Sequence, residues 1–114
     1  MSVIQQYKVK FFKNTIHGSV YNGVNTINPL LDAFLSEDQT LEDVNETIDA
    51  LSALLNAEIA NVNFSGESLI TIVADQNTST IYELPNYDPN TLSYSLPTVD
   101  LKELAEAWRD YLAQ

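Results

Sequence analysis

The chain has 114 residues, of which 16 are acidic and five are basic, so that its formal net charge is −11. That length suffices for one domain, residues 1–114, that buries about two-thirds of the surface of the unfolded chain. The absence of cysteine excludes disulfides, thiolate chemistry and cysteine-built zinc sites, and the single histidine, His17, excludes a multi-histidine metal site. Because we find neither an apolar run long enough to span a membrane nor a signal-peptide pattern, we expect a cytoplasmic protein.

The basic residues are confined to the two ends of the chain, and none lies between Asn14 and Leu101. They are Lys8, Lys10, Lys13, Lys102 and Arg109. Such a charge argues against binding nucleic acid or an anionic membrane, and it predicts either a basic partner or a role in solubility alone. Adaptation to high salt would also give an acidic surface, but the eleven asparagines disfavour it.

The first 25 residues predict a strand followed by an ambiguous segment. Alternation over Ile4 to Phe12 indicates a strand whose lysines face solvent. From Asn14 to Asn25, the dipeptide Asn22-Gly23 suits a tight hairpin turn, although a plain connection fits equally well. We expect His17 to be a surface or turn residue, since no nucleophile or carboxylate accompanies it at a recognisable spacing.

Two helices are predicted next. Asn28 and Pro29 suit the cap and first position of a helix that ends around Ser36. An acidic link, residues 37–39, then leads to a long helix from Thr40 to Ile59, with Thr40 as its N-cap. Because the link is short, we expect the two helices to pack as an αα-hairpin with a negative outer edge.

The long helix has an apolar face and an acidic face. Its apolar stripe consists of Leu41, Val44, Ile48, Leu51 and Leu55. Glu42, Glu46 and Asp49 lie opposite, and the helix contains no basic residue. Like charges at this spacing cost a helix about 0.2–0.5 kcal/mol per pair, a cost that a cationic partner would relieve. The pair Glu42/Glu46 is also considered as a cation site or an acid-base pair, but its place on an open helix face disfavours both.

After the long helix the hydrophobic period changes from 3.6 to 2. Strands are predicted around Val62 and Phe64, over Ser68 to Ala74, over Thr80 to Leu84, and over Thr91 to Leu96. The predicted turns between them include Ser65-Gly66-Glu67 and Gln76-Asn77-Thr78. Connections this short join antiparallel neighbours, which indicates a meander with one solvated face.

The apolar and charged residues near the C-terminus follow the pattern of an ordinary surface helix. Asp100 and Glu103 suit a capping box, and Val99 and Leu104 suit a hydrophobic staple. Trp108 falls on the apolar face and is predicted to be core. The polar face mixes signs, with pairs Lys102/Glu106 and Glu106/Arg109, unlike the acidic face of the long helix. The fold prediction is α+β, an antiparallel β-sheet of four to five strands with three helices packed on it.

No motif of an enzyme is present. The three glycines are too far apart for a phosphate loop, and Ser65-Gly66-Glu67-Ser68 lacks the second glycine of a nucleophile elbow. We therefore expect no catalytic residues, no metal and no cofactor.

The C-terminal part of the chain resembles a known group of proteins. Two short strands, a Tyr-rich turn, a strand ending in Leu96-Pro97-Thr98 and a helix with Trp108-Arg109-Asp110-Tyr111-Leu112 occur over residues 68–114. This layout is similar to the small acidic immunity proteins of bacterial contact-dependent inhibition and other polymorphic toxin systems. The resemblance implies a cytoplasmic antidote that binds one cognate toxin, commonly a nuclease, and carries no catalytic residue of its own.

The charge pattern and the resemblance lead to the same functional hypothesis, an inhibitor of a basic toxin that acts as a monomer or in a 1:1 complex. Its expected contact residues are Glu37, Asp38, Glu42, Asp43, Glu46 and Asp49, with Tyr87 and Asp88 in second place. The Tyr-rich region that also holds Tyr82, Glu83 and Tyr94 either covers the sheet or recognises a protein. Two alternatives remain, a nucleic-acid mimic of the anti-restriction or anti-CRISPR type and a non-catalytic scaffold subunit.

Overall fold

The computed structural model describes residues 2–65, 70–83 and 92–114. In these residues the fold is α+β with antiparallel sheets, as predicted, but it has four helices where three were expected. The helices are α1 (Val3–Gln6), α2 (Pro29–Ser36), α3 (Leu41–Leu55) and α4 (Thr98–Leu112). The strands are β1 (Lys10–Ile16), β2 (Ser19–Asn25), β3 (Asn61–Ser65), β4 (Ile70–Asp75), β5 (Thr78–Glu83) and β6 (Ser93–Pro97).

Strands β3 to β6 form the predicted meander, in the order β3-β4-β5-β6 with antiparallel neighbours. Its inner face carries Ile72 and Ile81, which are opposite each other and fully buried. On its outer face Val73 is exposed, as expected for a sheet with one solvated side. The predicted turn at Ser65-Gly66-Glu67 falls largely outside the described residues.

The N-terminal segment differs from the prediction. Residues 3–6 form a helical turn, because the Ser2 and Gln5 side chains cap it reciprocally, and the strand begins only at Lys10. Strands β1 and β2 form a separate two-stranded sheet whose turn is His17-Gly18, with φ of 51° and 81°. Two consecutive positive φ angles are typical of a tight hairpin turn. His17 is thus a turn residue, as predicted.

The dipeptide Asn22-Gly23, a predicted turn, lies instead within β2. The ring of Phe12, opposite Gly23 in the register, covers the position that a Cβ atom would occupy there. The glycine therefore admits an aromatic ring from the neighbouring strand, which is a role within a strand and not at a turn.

The starts of α2 and α3 were predicted correctly. Asn28 Oδ1 accepts a hydrogen bond of 2.8 Å from the Leu30 amide, and Thr40 Oγ1 accepts one of 3.2 Å from the Asp43 amide. Helix α3 ends at Leu55, four residues before the predicted end, because Ala57 takes a left-handed conformation with φ of 59°.

The predicted αα-hairpin is wrong. Helix α3 packs against α4, whereas α2 packs against β2 and the central strands of the four-stranded sheet. The buried stripe of α3 consists of Val44, Ile48, Leu51 and Leu54, with Leu54 in place of the predicted Leu55. Leu41, which was assigned to that stripe, is 43% exposed.

Helix α4 starts three residues earlier than predicted, with Pro97 in place of Asp100 at the N-cap, and has no side-chain cap. Val99 is 48% exposed, so the predicted staple is wrong. Asp100 accepts a 2.6 Å hydrogen bond from the hydroxyl of Tyr7 in place of forming the capping box. The start of the helix is fixed by Thr98, whose hydroxyl donates to the Asp75 carbonyl at 2.7 Å and lies 2.8 Å from Ser79 Oγ.

Trp108 is fully buried, as predicted. Its ring lies 5.8 Å from the rings of both Phe11 and Tyr111, and the latter two rings stack at 5.0 Å. The aromatic cluster thus joins β1 to α4 and fixes the hairpin on the body of the protein. No helix in the described part of the chain is long and apolar enough to cross a membrane.

Candidate functional site

The link between α2 and α3 is held by hydrogen bonds from two helices, α3 and α4. The hydroxyl of Thr47 donates to Asp38 Oδ2 at 2.8 Å, which ties the link to α3. Trp108 Nε1 donates to the carbonyl oxygen of Asp38 at 2.6 Å, which ties the link to the core. The half-buried side chain of Asp38 therefore has a fixed place beside the first turns of α3.

Four of the predicted contact residues come together around this point. The pKa of Asp38 is raised, first by burial and then by the negative charges of Asp43, Glu37 and Glu46, against the lowering effect of the hydrogen bond from Thr47. Ionisation of Asp38 is therefore disfavoured in the folded state, mainly by burial and further by the negative charges of these three neighbours.

Two further predicted residues, Glu42 and Asp49, are exposed on α3 and are joined to this group only through the helix. We call the six residues the acidic surface. Its members are Glu37, Asp38, Glu42, Asp43, Glu46 and Asp49. Tyr87 and Asp88, the second choices, lie outside the described residues.

Lys102 and Arg109, the two cations of α4, pair with carboxylates of the same helix. Within residues 2–65, 70–83 and 92–114, the two ion pairs join Lys102 to Glu106 at 3.7 Å and Arg109 to Asp110 at 3.2 Å. Both lie within α4, so the predicted pair Lys102/Glu106 is confirmed and Arg109 takes Asp110 in place of Glu106. Neither pair reaches α3.

Sequence reasoning missed a second exposed surface, the hairpin of β1 and β2, which we call the arm (residues 10–25). Its outer half exposes Ile16, Val20 and Tyr21, with 48%, 62% and 50% of their surface accessible. The turn signal His17-Gly18 between alternating apolar residues would have identified the hairpin, but Asn22-Gly23 is the stronger turn dipeptide by composition.

Two tyrosines, Tyr82 and Tyr94, lie on the described strands of the four-stranded sheet. Tyr82 and Tyr94 are half-buried, and burial, followed by the charge of Asp100, raises the pKa of Tyr94. Among the described residues no three carboxylate or imidazole side chains are grouped so as to bind a metal ion.

The candidate site is therefore a partly exposed group of carboxylates at the start of α3, with the arm beside it. Comparison of the chain with models of known families, with curated proteins and with solved structures finds no match.

Proposed function

We propose that this protein is a non-enzymatic inhibitor of the immunity type, which binds a basic cognate toxin in the cytoplasm through the acidic surface. The observation that carries the proposal is the grouping of Asp43, Glu37 and Glu46 around Asp38, whose pKa is raised first by burial and then by repulsion from these three carboxylates. A cationic partner would remove that repulsion and would gain charge-assisted hydrogen bonds at the same time.

A nuclease is the class of toxin that fits best. Nucleases present Lys and Arg side chains to the phosphates of their substrates, and an acidic protein that covers those side chains competes with the substrate directly. Complementary charge also accelerates association, which suits an inhibitor that must act before the toxin does.

The compact grouping of Glu37, Asp38, Asp43 and Glu46 supports a protein partner more than the alternative of nucleic-acid mimicry. A mimic requires carboxylates spread along an elongated track that imitates successive phosphates. A scaffold subunit, the other alternative, would need no charge cluster, since acidic residues scattered over the surface serve solubility equally well.

The test uses the double variant Asp43→Lys/Glu46→Lys and a basic toxin, which is to be sought among the products of the neighbouring genes. We expect the variant to lose at least about 1.4 kcal/mol of binding free energy, tenfold in affinity, and to show a flatter dependence on salt in isothermal titration calorimetry. Its melting temperature should stay nearly unchanged, because both side chains are exposed.

The matched control is Glu58→Lys/Glu103→Lys, which makes the same change of net charge at two exposed residues outside the acidic surface. This control should retain most of the affinity. Equal losses in the two variants would mean that only overall charge matters, and an unchanged affinity in the Asp43/Glu46 variant would refute the proposed contact surface.

A further inference from the structure

The arm and the acidic surface lie side by side on the molecule. The backbone amide of Asn22 in β2 donates to Gln39 Oε1 at 3.3 Å, and Gln39 Nε2 donates back to the Asn22 carbonyl at 3.1 Å. Gln39 directly follows Asp38 in the link. Within the arm, Lys13 Nζ donates to Asn22 Oδ1 at 2.9 Å and lies 5.2 Å from the ring centre of Tyr111 in α4.

These neighbouring surfaces carry opposite charge. Residues 1–31 contain three lysines and no acidic residue, while all 16 acids fall in residues 32–114. Lys10 and Lys13 are exposed on the arm, and in the described part of the chain neither forms an ion pair. Each molecule therefore presents the arm, with one lysine on each of its faces, beside the acidic surface.

The outer half of the arm also exposes apolar residues on both of its faces. In the register of β1 and β2, Tyr21 lies opposite Asn14 on one face and Val20 lies opposite Thr15 on the other. A two-stranded hairpin is only marginally stable by itself in water, so exposed apolar residues on both faces gain most from contact with another protein surface.

We infer that the arm docks on the acidic surface of a second copy of this chain, in a two-fold dimer in which each arm covers the other molecule's acidic residues. In a two-fold dimer the arm of each molecule meets the acidic surface of the other molecule. A molecule with two adjacent patches of opposite charge is therefore complementary to a second copy of itself. The net charge of −11 opposes approach at long range. At physiological ionic strength, however, charges more than about 8 Å apart are largely screened, and the contacting pairs dominate.

The dimer would regulate the proposed function, on which this part of the inference rests, because it covers the same acidic surface until a basic partner displaces the arm. A strand of seven residues extends for about 24 Å and neighbouring strands lie about 5 Å apart, so one face of the arm offers roughly 200–300 Å². That area is small beside the roughly 800 Å² that each partner buries in a standard interface. The dimer is therefore weak and exchangeable, with a dissociation constant in the micromolar range.

Sedimentation velocity of the intact protein tests the dimer without any toxin. The wild type should change from monomer to dimer as its concentration rises from a few to several hundred micromolar at physiological salt. A monomer over the whole range overturns the inference.

A charge exchange identifies the contacting surfaces. The variants Lys10→Glu/Lys13→Glu and Asp43→Lys/Glu46→Lys should each be monomeric, because like charges would meet at both contacts of the two-fold. An equal mixture of the two should form a heterodimer, since both contacts again join opposite charges. A mixture that stays monomeric, or a variant that still dimerises alone, overturns the docking of the arm on the acidic surface.

The apolar contribution has a matched control elsewhere in the chain. Val20→Ser, on the arm, should weaken dimerisation at least fivefold, whereas Val99→Ser, at another exposed valine, should leave it unchanged. Because Val20→Ser leaves the acidic surface intact, this variant should bind the basic toxin at least as tightly as the wild type. Loss of the dimer with toxin binding retained therefore separates this inference from the proposed function, and equal effects of the two valine variants refute the role of the arm.

Discussion

Trp108 connects the hydrophobic core to the acidic link through one hydrogen bond. Its indole nitrogen donates to the Asp38 carbonyl at 2.6 Å, and the described buried side-chain polar atoms all have a partner. Trp108→Phe removes that donor and leaves part of a cavity, so we expect a loss of about 2–4 kcal/mol in the free energy of unfolding, measured by urea denaturation.

Tyr111→Phe is the control for that measurement, because it keeps the stacked ring on Trp108 and changes only a hydroxyl on a partly exposed residue. It should cost no more than about 0.5 kcal/mol. If both variants lose the same free energy, the indole hydrogen bond has no special role in fixing the link.

Tyr7 should make the free energy of unfolding of the protein depend on pH in alkaline solution. Burial raises the pKa of its hydroxyl, and the hydrogen bond to Asp100 and the negative charge of that residue raise it further. The unfolded chain loses this proton at about pH 10, before the folded chain does. The stabilisation is therefore complete below pH ~10 and is lost as the pH rises through the folded pKa.

Tyr7→Phe should accordingly lower the free energy of unfolding at neutral pH by about 1–2 kcal/mol and flatten its decline in alkaline solution. Urea denaturation at a series of pH values measures both effects. Tyr21→Phe, at an exposed tyrosine, is the comparison and should leave the profile of the wild type unchanged. If the free energy of unfolding of Tyr7→Phe declines as steeply as that of the wild type, groups other than Tyr7 cause the decline.

The role of Asp100 shows what the sequence leaves open at the scale of a residue. Asn28 and Thr40 cap the helices that follow them, and both caps were predictable because donor and acceptor are two or three residues apart. Asp100 matches the same local pattern, yet its partner is Tyr7, 93 residues away. A local pattern cannot rank a distant donor against a nearby one.

The C-terminus of α3 is an element boundary that the sequence conceals. The Glu58 amide donates to the Ala53 carbonyl at 2.9 Å, and the Ala57 amide donates to the Leu54 carbonyl at 3.1 Å. This is the Schellman pattern, in which the residue after the cap takes a left-handed conformation and is usually glycine. Here it is Ala57, with φ of 59°, so the usual glycine signal is missing and the predicted helix extended to Ile59.

Ala57→Gly should stabilise the protein by about 0.5–1 kcal/mol, because glycine adopts a positive φ without steric cost. Ala50→Gly, in the interior of the same helix, should instead destabilise it by about 1 kcal/mol. Thermal denaturation of the two variants checks the opposite signs. A loss of stability in both would show that the left-handed conformation of Ala57 carries no strain.

Packing partners are the other property of elements that the sequence left undetermined. The apolar stripe of α3 was predicted correctly for Val44, Ile48 and Leu51. The stripe shows which side of a helix is buried, but it does not show against what, and the short link suggested α2 where the structure has α4. The meander was predictable because its connections are too short for any crossover.

For the whole molecule, the acidic surface was predictable and the arm beside it was not. Charge is read directly from the sequence, and the structure adds that Glu37, Asp43 and Glu46 lie close enough to Asp38 to raise its pKa further, beyond the larger effect of burial. The arm lies next to them because Asn22 and Gln39, 17 residues apart, exchange two hydrogen bonds. A contact between residues this far apart in the chain produces no periodic pattern in the sequence.

The net charge should make the stability of the whole molecule depend on salt. With −11 on the chain, and with both described ion pairs confined to α4, repulsion among carboxylates outweighs attraction. Salt shortens the screening length from about 30 Å at 0.01 M to about 8 Å at 0.15 M. The melting temperature should therefore rise with sodium chloride over this range, measured by calorimetry at concentrations too low for dimerisation.

Asp43→Lys/Glu46→Lys tests the origin of that salt dependence. Each reversal changes the charge by two, so the double variant carries −7 in place of −11, and it removes two of the three carboxylates that raise the pKa of Asp38. Its melting temperature should rise less steeply with salt than that of the wild type, and less steeply than that of Glu58→Lys/Glu103→Lys, which has the same net charge. Identical slopes in the two variants would assign the repulsion to the molecule as a whole. A steeper rise in the control would instead place much of it in the acidic surface, where a basic partner would relieve it on binding.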